Sequence, residues 1–148
     1  MSTEANKRIT RRLIEDVLNT GAFALLDELF ASTYVNHFPG IPAPLDRAAW
    51  EQVITMFRTG FPDLQFTIEN QIAEGNDVAT WFTVRGTHLG AFQGIAATGK
   101  SMTLPCHVLF RLADGKIVED RPIFDQLSLL QQLGAVPTLG QAMQEAGG

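Results

Sequence analysis

Asp125 has the setting of a general acid or base. It follows Ile123 and Phe124 and precedes the apolar run at 127–130, so its carboxyl group is expected to be partly shielded from water. Desolvation disfavours the charged form and raises a carboxyl pKa toward the range useful in acid/base catalysis. An aspartate directly before a helix is also a good N-cap, because its oxygen accepts hydrogen bonds from free backbone N–H groups. The residues alone leave both roles open.

Arg121 lies four residues before Asp125, on a predicted strand over 116–124. Strand alternation places Arg121, Ile123 and Asp125 on one face of this strand and Asp120 on the other. If the face of Arg121 lines a pocket, the guanidinium would lower the pKa of Asp125, or would grip a carboxylate or enolate of a substrate. If it faces water, Arg121 is an ordinary solvated side chain. Both interpretations stay open.

His107 lies in PCHVLF, in the middle of a predicted strand over 102–112. Alternation turns either His107 or its neighbours Cys106 and Val108 toward the interior. An inward imidazole could polarise a carbonyl or shuttle protons, whereas an outward one would meet solvent or a partner subunit. Sequence does not choose between the two orientations.

Four aromatic residues are candidates for the wall of an apolar pocket. A set of large aromatic side chains beside a few polar groups is typical of small-ligand sites, although each of them is also an ordinary core residue. The four are Trp50, Phe57, Phe82 and Phe110.

Composition and spacing disfavour several other functions. The net charge of −5 argues against nucleic acid binding, which requires a surplus of Lys and Arg. No histidines have HxH or HExxH spacing, so no metal site is predicted, and the glycines of GTHLGAFQG do not follow the GxGxxG pattern. The single cysteine, Cys106, is interpreted as a small buried side chain in a reducing compartment. With no apolar segment near 18 residues and no leader in MSTEANKRIT, we expect a cytoplasmic protein without a membrane span.

The pattern of elements predicts an α+β fold in one domain, residues 1–148. Helices come first and an antiparallel meander of four long strands follows, so the helices are expected to cover one sheet face and enclose a pocket. The predicted helices cover 4–19, 22–31, a segment capped by Asp46, and 127–133; a short strand is predicted at 34–38 and a hairpin turn at 114–115.

Four stretches carry a family resemblance: FPDLQF at 61–66, GTHLGAFQGIAATGK at 86–100, DGKIVED at 114–120 and LLQQLG at 129–134. Together they resemble the SnoaL-like polyketide cyclase family. The resemblance implies the NTF2-like cone, in which helices pack on a curved antiparallel or mixed sheet around an apolar pocket. It covers the chain from about residue 6 to residue 136.

The resemblance also implies a reaction, an intramolecular aldol ring closure by acid/base catalysis. No cofactor is required, because flanking carbonyls stabilise the carbanion. Asp125 matches the acid/base aspartate of the last strand, and His107 or Arg121 would stabilise the enolate oxygen. His37 corresponds to a residue at the pocket mouth, and Arg121 replaces an aromatic residue, often Trp, that relatives carry. The implied partner is a small hydrophobic, polyketide-like ligand.

Two other functions fit the same fold. Ketosteroid isomerases and limonene-type epoxide hydrolases resemble this cone, but the isomerase needs a second carboxyl or tyrosine donor and the hydrolase an Asp-Arg-Asp cluster. A non-catalytic ligand-binding protein is the alternative from another class. A homodimer through the outer sheet face is expected, with Trp81 and Leu109 exposed there.

Overall fold

The computed structural model describes residues 2–147. Its core is a five-stranded mixed sheet in the order β1-β5-β4-β3-β2. The strands are β1 (Phe30–Asn36), β2 (Gln65–Glu74), β3 (Asp77–Thr87), β4 (Ser101–Ala113) and β5 (Lys116–Phe124). The helices are α1 (Thr3–Arg12), α2 (Leu26–Leu29), α3 (Arg47–Gly60), α4 (Gln126–Gln132) and α5 (Leu139–Gly147).

The long strands β2 to β5 form the predicted antiparallel meander, and β1 adds to its edge in parallel with β5. Along β4 buried and exposed residues alternate without interruption. This period of two marks a sheet with one face packed on the core and the other turned outward. The buried set includes Cys106 and Val108, so His107 points outward.

The helices pack on the inner face of the sheet through their apolar sides. The first residue of α1 and of α3 is fixed by an N-cap. Ser2 caps α1 and Asp46 caps α3, each by accepting a hydrogen bond from a backbone N–H of the first turn. Beyond Arg12 the first helix continues as a π-helical segment, Leu13–Leu18, whose apolar residues are all buried. The predicted cap at Asp46 is confirmed.

A bulge in β2 changes which side chains face the core. The register between β2 and β3 shifts between Ile68 and Asn70, so the face alternation reverses there. Phe66 and Ile68 therefore pack against the core, whereas Ile72 lies exposed on the outer face.

The loop that follows β3 docks on the end of α3. The backbone N–H of Gly90 donates to the carbonyl of Gly60, and a Cβ at position 90 would lie 2.2 Å from the Thr59 oxygen. Only glycine fits so close an approach. Gly94 of the same loop has a φ of 79°, a left-handed conformation that favours glycine.

The α+β class is confirmed, and most predicted elements lie within a few residues of their observed bounds. The C-terminal helix α5 was missed, since the last residues were expected to fray; it buries none of its side chains. Within the described residues, no helix is both long and apolar enough to span a membrane.

Candidate active site

An apolar cavity lies between the helices and the inner sheet face. Water-sized molecules can place their centres in about 100 Å³ of it. Among the described residues, the polar side chains that line this cavity are Asn36 and Asp120, and the rest of the wall is apolar apart from the thiol of Cys106. The four predicted wall residues, Trp50, Phe57, Phe82 and Phe110, all line it.

Asp120 is the carboxyl group of the cavity and is only 3% exposed. The hydroxyl of Tyr34 donates to its Oδ2 at 2.8 Å, and the Nδ2 of Asn36 donates to its Oδ1 at 2.5 Å. Both donors come from β1, where residues two apart share a face. The parallel pairing of β1 with β5 sets Asn36 directly opposite Asp120.

Burial raises the pKa of Asp120 to about 7 from an ordinary value of 3.8. Removal from water disfavours the carboxylate and outweighs the hydrogen bonds from Tyr34 and Asn36, which favour it; the nearby charge of Glu119 adds a smaller upward contribution. Burial also raises the pKa of Tyr34, so its phenol stays protonated. A carboxyl group that titrates near neutrality is suited to take up and return a proton.

A bulge in β5 brings Asp120 to the inner face. Arg111 and Leu112 are consecutive on β4, but their partners on β5, Glu119 and Ile117, are two residues apart. Val118 is therefore an extra residue in β5. Bulges of this kind reverse the alternation and are common beside active sites. Without the bulge, Glu119 and Arg121 would lie on the same inner face as Ile117, and Asp120 would point outward.

Asp125 does not line the cavity, contrary to expectation. It is exposed, one residue beyond the end of β5, and its Oδ1 accepts a hydrogen bond from the Ser128 N–H at 2.8 Å. It is therefore the N-cap of α4, the second of the two roles open to it. Asp120 and Arg121 lie on opposite faces of β5, as the alternation predicted, but the face that lines the cavity is that of Asp120 and not that of Arg121.

Arg121 and His107 also lie on the outer face. Arg121 shares its face with Ile123, as predicted, but its side chain is exposed and does not line the cavity, and its guanidinium lies 3.5 Å from Glu119. His107 is exposed and stacks on Trp81, with ring centroids 5.9 Å apart. Neither side chain lines the cavity, so neither is placed to contact an enclosed ligand.

His37 is half-buried at the end of β1, beside the cavity but outside its lining. Its Nε2 lies 3.1 Å from Oε2 of Glu119, and this contact is the main reason that the pKa of Glu119 is lowered. His37 precedes Phe38, which does line the cavity. It is therefore one residue away from the wall.

Three half-buried phenylalanines close one end of the cavity. Phe38, Phe57 and Phe124 come from the loop after β1, from α3 and from the end of β5. Their ring centroids lie 5.8 to 6.1 Å apart, which is contact distance for aromatic pairs.

Sequence reasoning missed Tyr34 and Asn36 as partners of the carboxyl group. The available signal was their spacing, since residues at i and i+2 of a strand point to the same side. Cys106 lies in the wall with its pKa raised to about 12 by burial, so it stays a neutral thiol. Among the described residues, no three His, Cys, Asp or Glu side chains are grouped as metal ligands.

Comparison with known proteins identifies the family. The model of the SnoaL-like polyketide cyclases matches residues 8–133. The chain belongs to this family. SnoaL-like membership confirms the predicted resemblance and agrees with the NTF2-like arrangement of helices on a mixed sheet.

Several SnoaL-like relatives match along nearly their whole length. The aklanonic acid methyl ester cyclase DnrD of Streptomyces peucetius is 29% identical over 140 residues, which are 90% of this chain and 92% of DnrD. The structure of IdmH, a candidate polyketide cyclase of Streptomyces antibioticus, is 33% identical with a TM-score of 0.79, covering 87% of this chain and 98% of IdmH. AclR of Streptomyces galilaeus, a candidate hydroxylase, is 25% identical with a TM-score of 0.85, covering 99% and 91%.

Proposed function

We propose that this SnoaL-like protein is a polyketide cyclase that closes a ring by an intramolecular aldol reaction without a cofactor. The observation that carries the proposal is Asp120, a buried carboxyl group in an apolar cavity, with burial raising its pKa to about 7. A base of this kind is matched to an acidic C–H group flanked by carbonyls. The cyclase activity in the name of the relative DnrD gives independent support.

In the proposed step, the Asp120 carboxylate removes a proton from a carbon next to a carbonyl group. The resulting enolate carbon attacks a ketone or aldehyde of the same molecule, so that one C–C bond forms and the carbonyl π bond breaks. The new alkoxide takes the proton back from Asp120, and the product is an isomer of the substrate. Tyr34 and Asn36 hold the carboxylate in place through their hydrogen bonds to its two oxygens.

The ligand is proposed to be hydrophobic, because the cavity wall offers aromatic and aliphatic contacts around one polar pair. A cavity of about 150 Å³ holds a benzene molecule, so a fused-ring substrate requires more space than the observed volume of about 100 Å³. The half-buried rings of Phe38, Phe57 and Phe124 are the groups that we expect to move apart on entry.

The proposal is tested with aklanonic acid methyl ester and related anthraquinone-type esters as substrates for wild type, Asp120→Asn and Asp125→Asn. Loss of the acid/base group in Asp120→Asn should lower kcat by about 10²- to 10⁴-fold. Asp125→Asn is the matched control, because asparagine also caps helices well, and its rate should stay near that of wild type.

Equal loss in both variants, or full activity in Asp120→Asn, would overturn the assignment of Asp120. No turnover by folded wild type across the esters, epoxides and Δ5-ketosteroids would favour the alternative of a non-catalytic binding protein. Isomerase and epoxide hydrolase activities have less support: Tyr34 is bonded to Asp120 outside the cavity lining, and no arginine lines the cavity among the described residues.

The outer sheet face is proposed to form a homodimer. Its exposed apolar side chains are Ile72, Trp81, Leu109 and Ile123, and two of them were expected there from the sequence. Ile123 is 64% and Trp81 46% exposed, and contiguous apolar surface of this kind marks an interaction site.

A cytoplasmic setting is likewise a proposal and rests on the reduced, buried Cys106.

Sedimentation at micromolar concentration tests the dimer. Wild type should sediment as a dimer, and Trp81→Glu should sediment as a monomer because a buried charge would lack a partner at the interface. Thr83→Glu, on the same strand face but outside the apolar patch, is the control. A monomeric wild type would contradict the proposal.

A further inference from the structure

The side-chain oxygen of Asn36 is buried and has no hydrogen-bond partner among the described residues. Asn36 is 1% exposed, and its amide nitrogen is engaged by Asp120 while its Oδ1 has no partner. Asn36 also lines the cavity. A buried polar atom without a partner costs free energy, so this oxygen is free to accept a hydrogen bond from a group that enters the cavity.

The orientation of the amide follows from its neighbour. An ionised carboxylate only accepts hydrogen bonds, so the group of Asn36 that faces Asp120 is the NH₂ group. The carbonyl oxygen is then turned away from Asp120. Tyr34 differs, because its hydroxyl is bonded to Asp120 and its side chain does not line the cavity.

We propose that Asn36 determines ligand specificity: its Oδ1 accepts a hydrogen bond from a phenolic or enolic O–H of the ligand. Nδ2 of the same amide group donates to the Asp120 carboxylate, so the Oδ1 acceptor lies close to that carboxylate. The hydroxyl that it recognises therefore lies close to the carbon that Asp120 deprotonates. The position of the hydroxyl relative to the reactive carbon rests on the proposed function, whereas the binding of the hydroxyl by Asn36 does not.

The preferred ligand is thus a hydrophobic molecule with a hydroxyl group near its reactive carbon. An apolar wall alone would favour the analogue that lacks the hydroxyl, because the hydroxyl loses its water on entry. A site that supplies an acceptor reverses this preference, since the analogue leaves the acceptor unpaired.

The test compares 2-naphthol, 2-methoxynaphthalene and naphthalene by calorimetry and by NMR at pH 8, where Asp120 is ionised. Wild type should bind 2-naphthol more tightly than the other two. In Asn36→Leu, which has a similar shape, the ratio of the naphthalene and 2-naphthol dissociation constants should fall about tenfold, the value of one hydrogen bond to a buried acceptor.

Tyr34→Phe is the matched control. It removes the other hydrogen bond to Asp120 but leaves the Asn36 oxygen in the cavity, so the preference for 2-naphthol should persist. If Asn36→Leu fails to fold, the wild-type protein still decides the matter. The carboxamide ¹³C resonance of Asn36 should shift with 2-naphthol and not with naphthalene.

An unchanged ratio in Asn36→Leu, or an Asn36 resonance that does not respond to 2-naphthol, would overturn the inference. So would a wild-type protein that binds none of the three. If Asp120→Asn loses cyclisation but wild type shows no preference for the hydroxyl, only the role of Asn36 is contradicted. If wild type prefers the hydroxyl but cyclises no substrate, only the cyclase function is contradicted.

Discussion

Two aspartates, one on the inner face of β5 and one just beyond the end of that strand, lie in opposite environments. Asp120 is buried, and its pKa is raised to about 7, whereas Asp125 is exposed and caps α4. The residue type is the same, and five positions separate them. Their difference shows that the chemistry of a carboxyl group here is set by which side of the sheet it meets.

The largest expected effect contrasts the two faces of β4. Phe110 is buried in the cavity wall and Leu109 is exposed on the outer face. Phe110→Ala should lower the free energy of unfolding by about 3–5 kcal/mol, because it removes buried surface and enlarges the cavity. Leu109→Ala should cost less than 1 kcal/mol per monomer. Urea unfolding measures both, and equal losses would contradict the assignment of faces.

The second prediction concerns stability and pH. A carboxyl group whose pKa is raised on folding stabilises the protein fully below its unfolded pKa, and this contribution is lost as the pH rises through the folded pKa. For Asp120 the window runs from 3.8 to about 7. Across it, wild type should lose on the order of 4 kcal/mol relative to Asp120→Asn, which cannot ionise.

Urea unfolding of wild type and Asp120→Asn at several pH values measures this difference. The variant should be the more stable of the two at pH 8 even though it is expected to be inactive. A constant difference between pH 4 and pH 8 would mean that Asp120 is not held in a desolvated site. Asp125→Asn gives the baseline for a carboxyl group on the exposed side.

The third prediction concerns the rate. If Asp120 acts as a base, kcat/KM should fall about tenfold per pH unit below pH 7, and so by about 100-fold at pH 5. Tyr34→Phe removes a hydrogen bond that favours the carboxylate, and should move the midpoint of this profile to higher pH. A profile that stays flat down to pH 5 would exclude Asp120 as the essential base.

Much of the fold could be predicted because it depends on local patterns. The period of two along β4, the cap at Asp46 and the turn at Asp114-Gly115 each record a local preference of the chain. The short strand β1 was placed in part, but its parallel pairing with β5 depends on contacts across more than 80 residues. No local pattern reports such pairing.

The candidate site was predicted only in its apolar part. Trp50 and Phe110 were expected in the wall and lie there, because large aromatic residues are mostly buried in folded proteins. The polar part depends on one extra residue, Val118, which reverses the alternation of β5. A bulge leaves little trace in sequence, so the pattern did not show which face of β5 meets the cavity. The acid/base role was assigned to Asp125 from its apolar neighbours and its match to the family.

The smallest effect is expected at the cap. Asp125→Ala removes the acceptor of the Ser128 N–H and should lower the free energy of unfolding by about 1 kcal/mol, while Asp125→Asn should change it by only a few tenths. The rate of ring closure should stay close to wild type in both variants. Because α4 packs against β4 close to the cavity, a loss of rate in Asp125→Ala alone would mean that the helix supports the site. A loss of rate in Asp125→Asn as well would indicate that Asp125 is the acid/base residue and would contradict the contrast between the two aspartates.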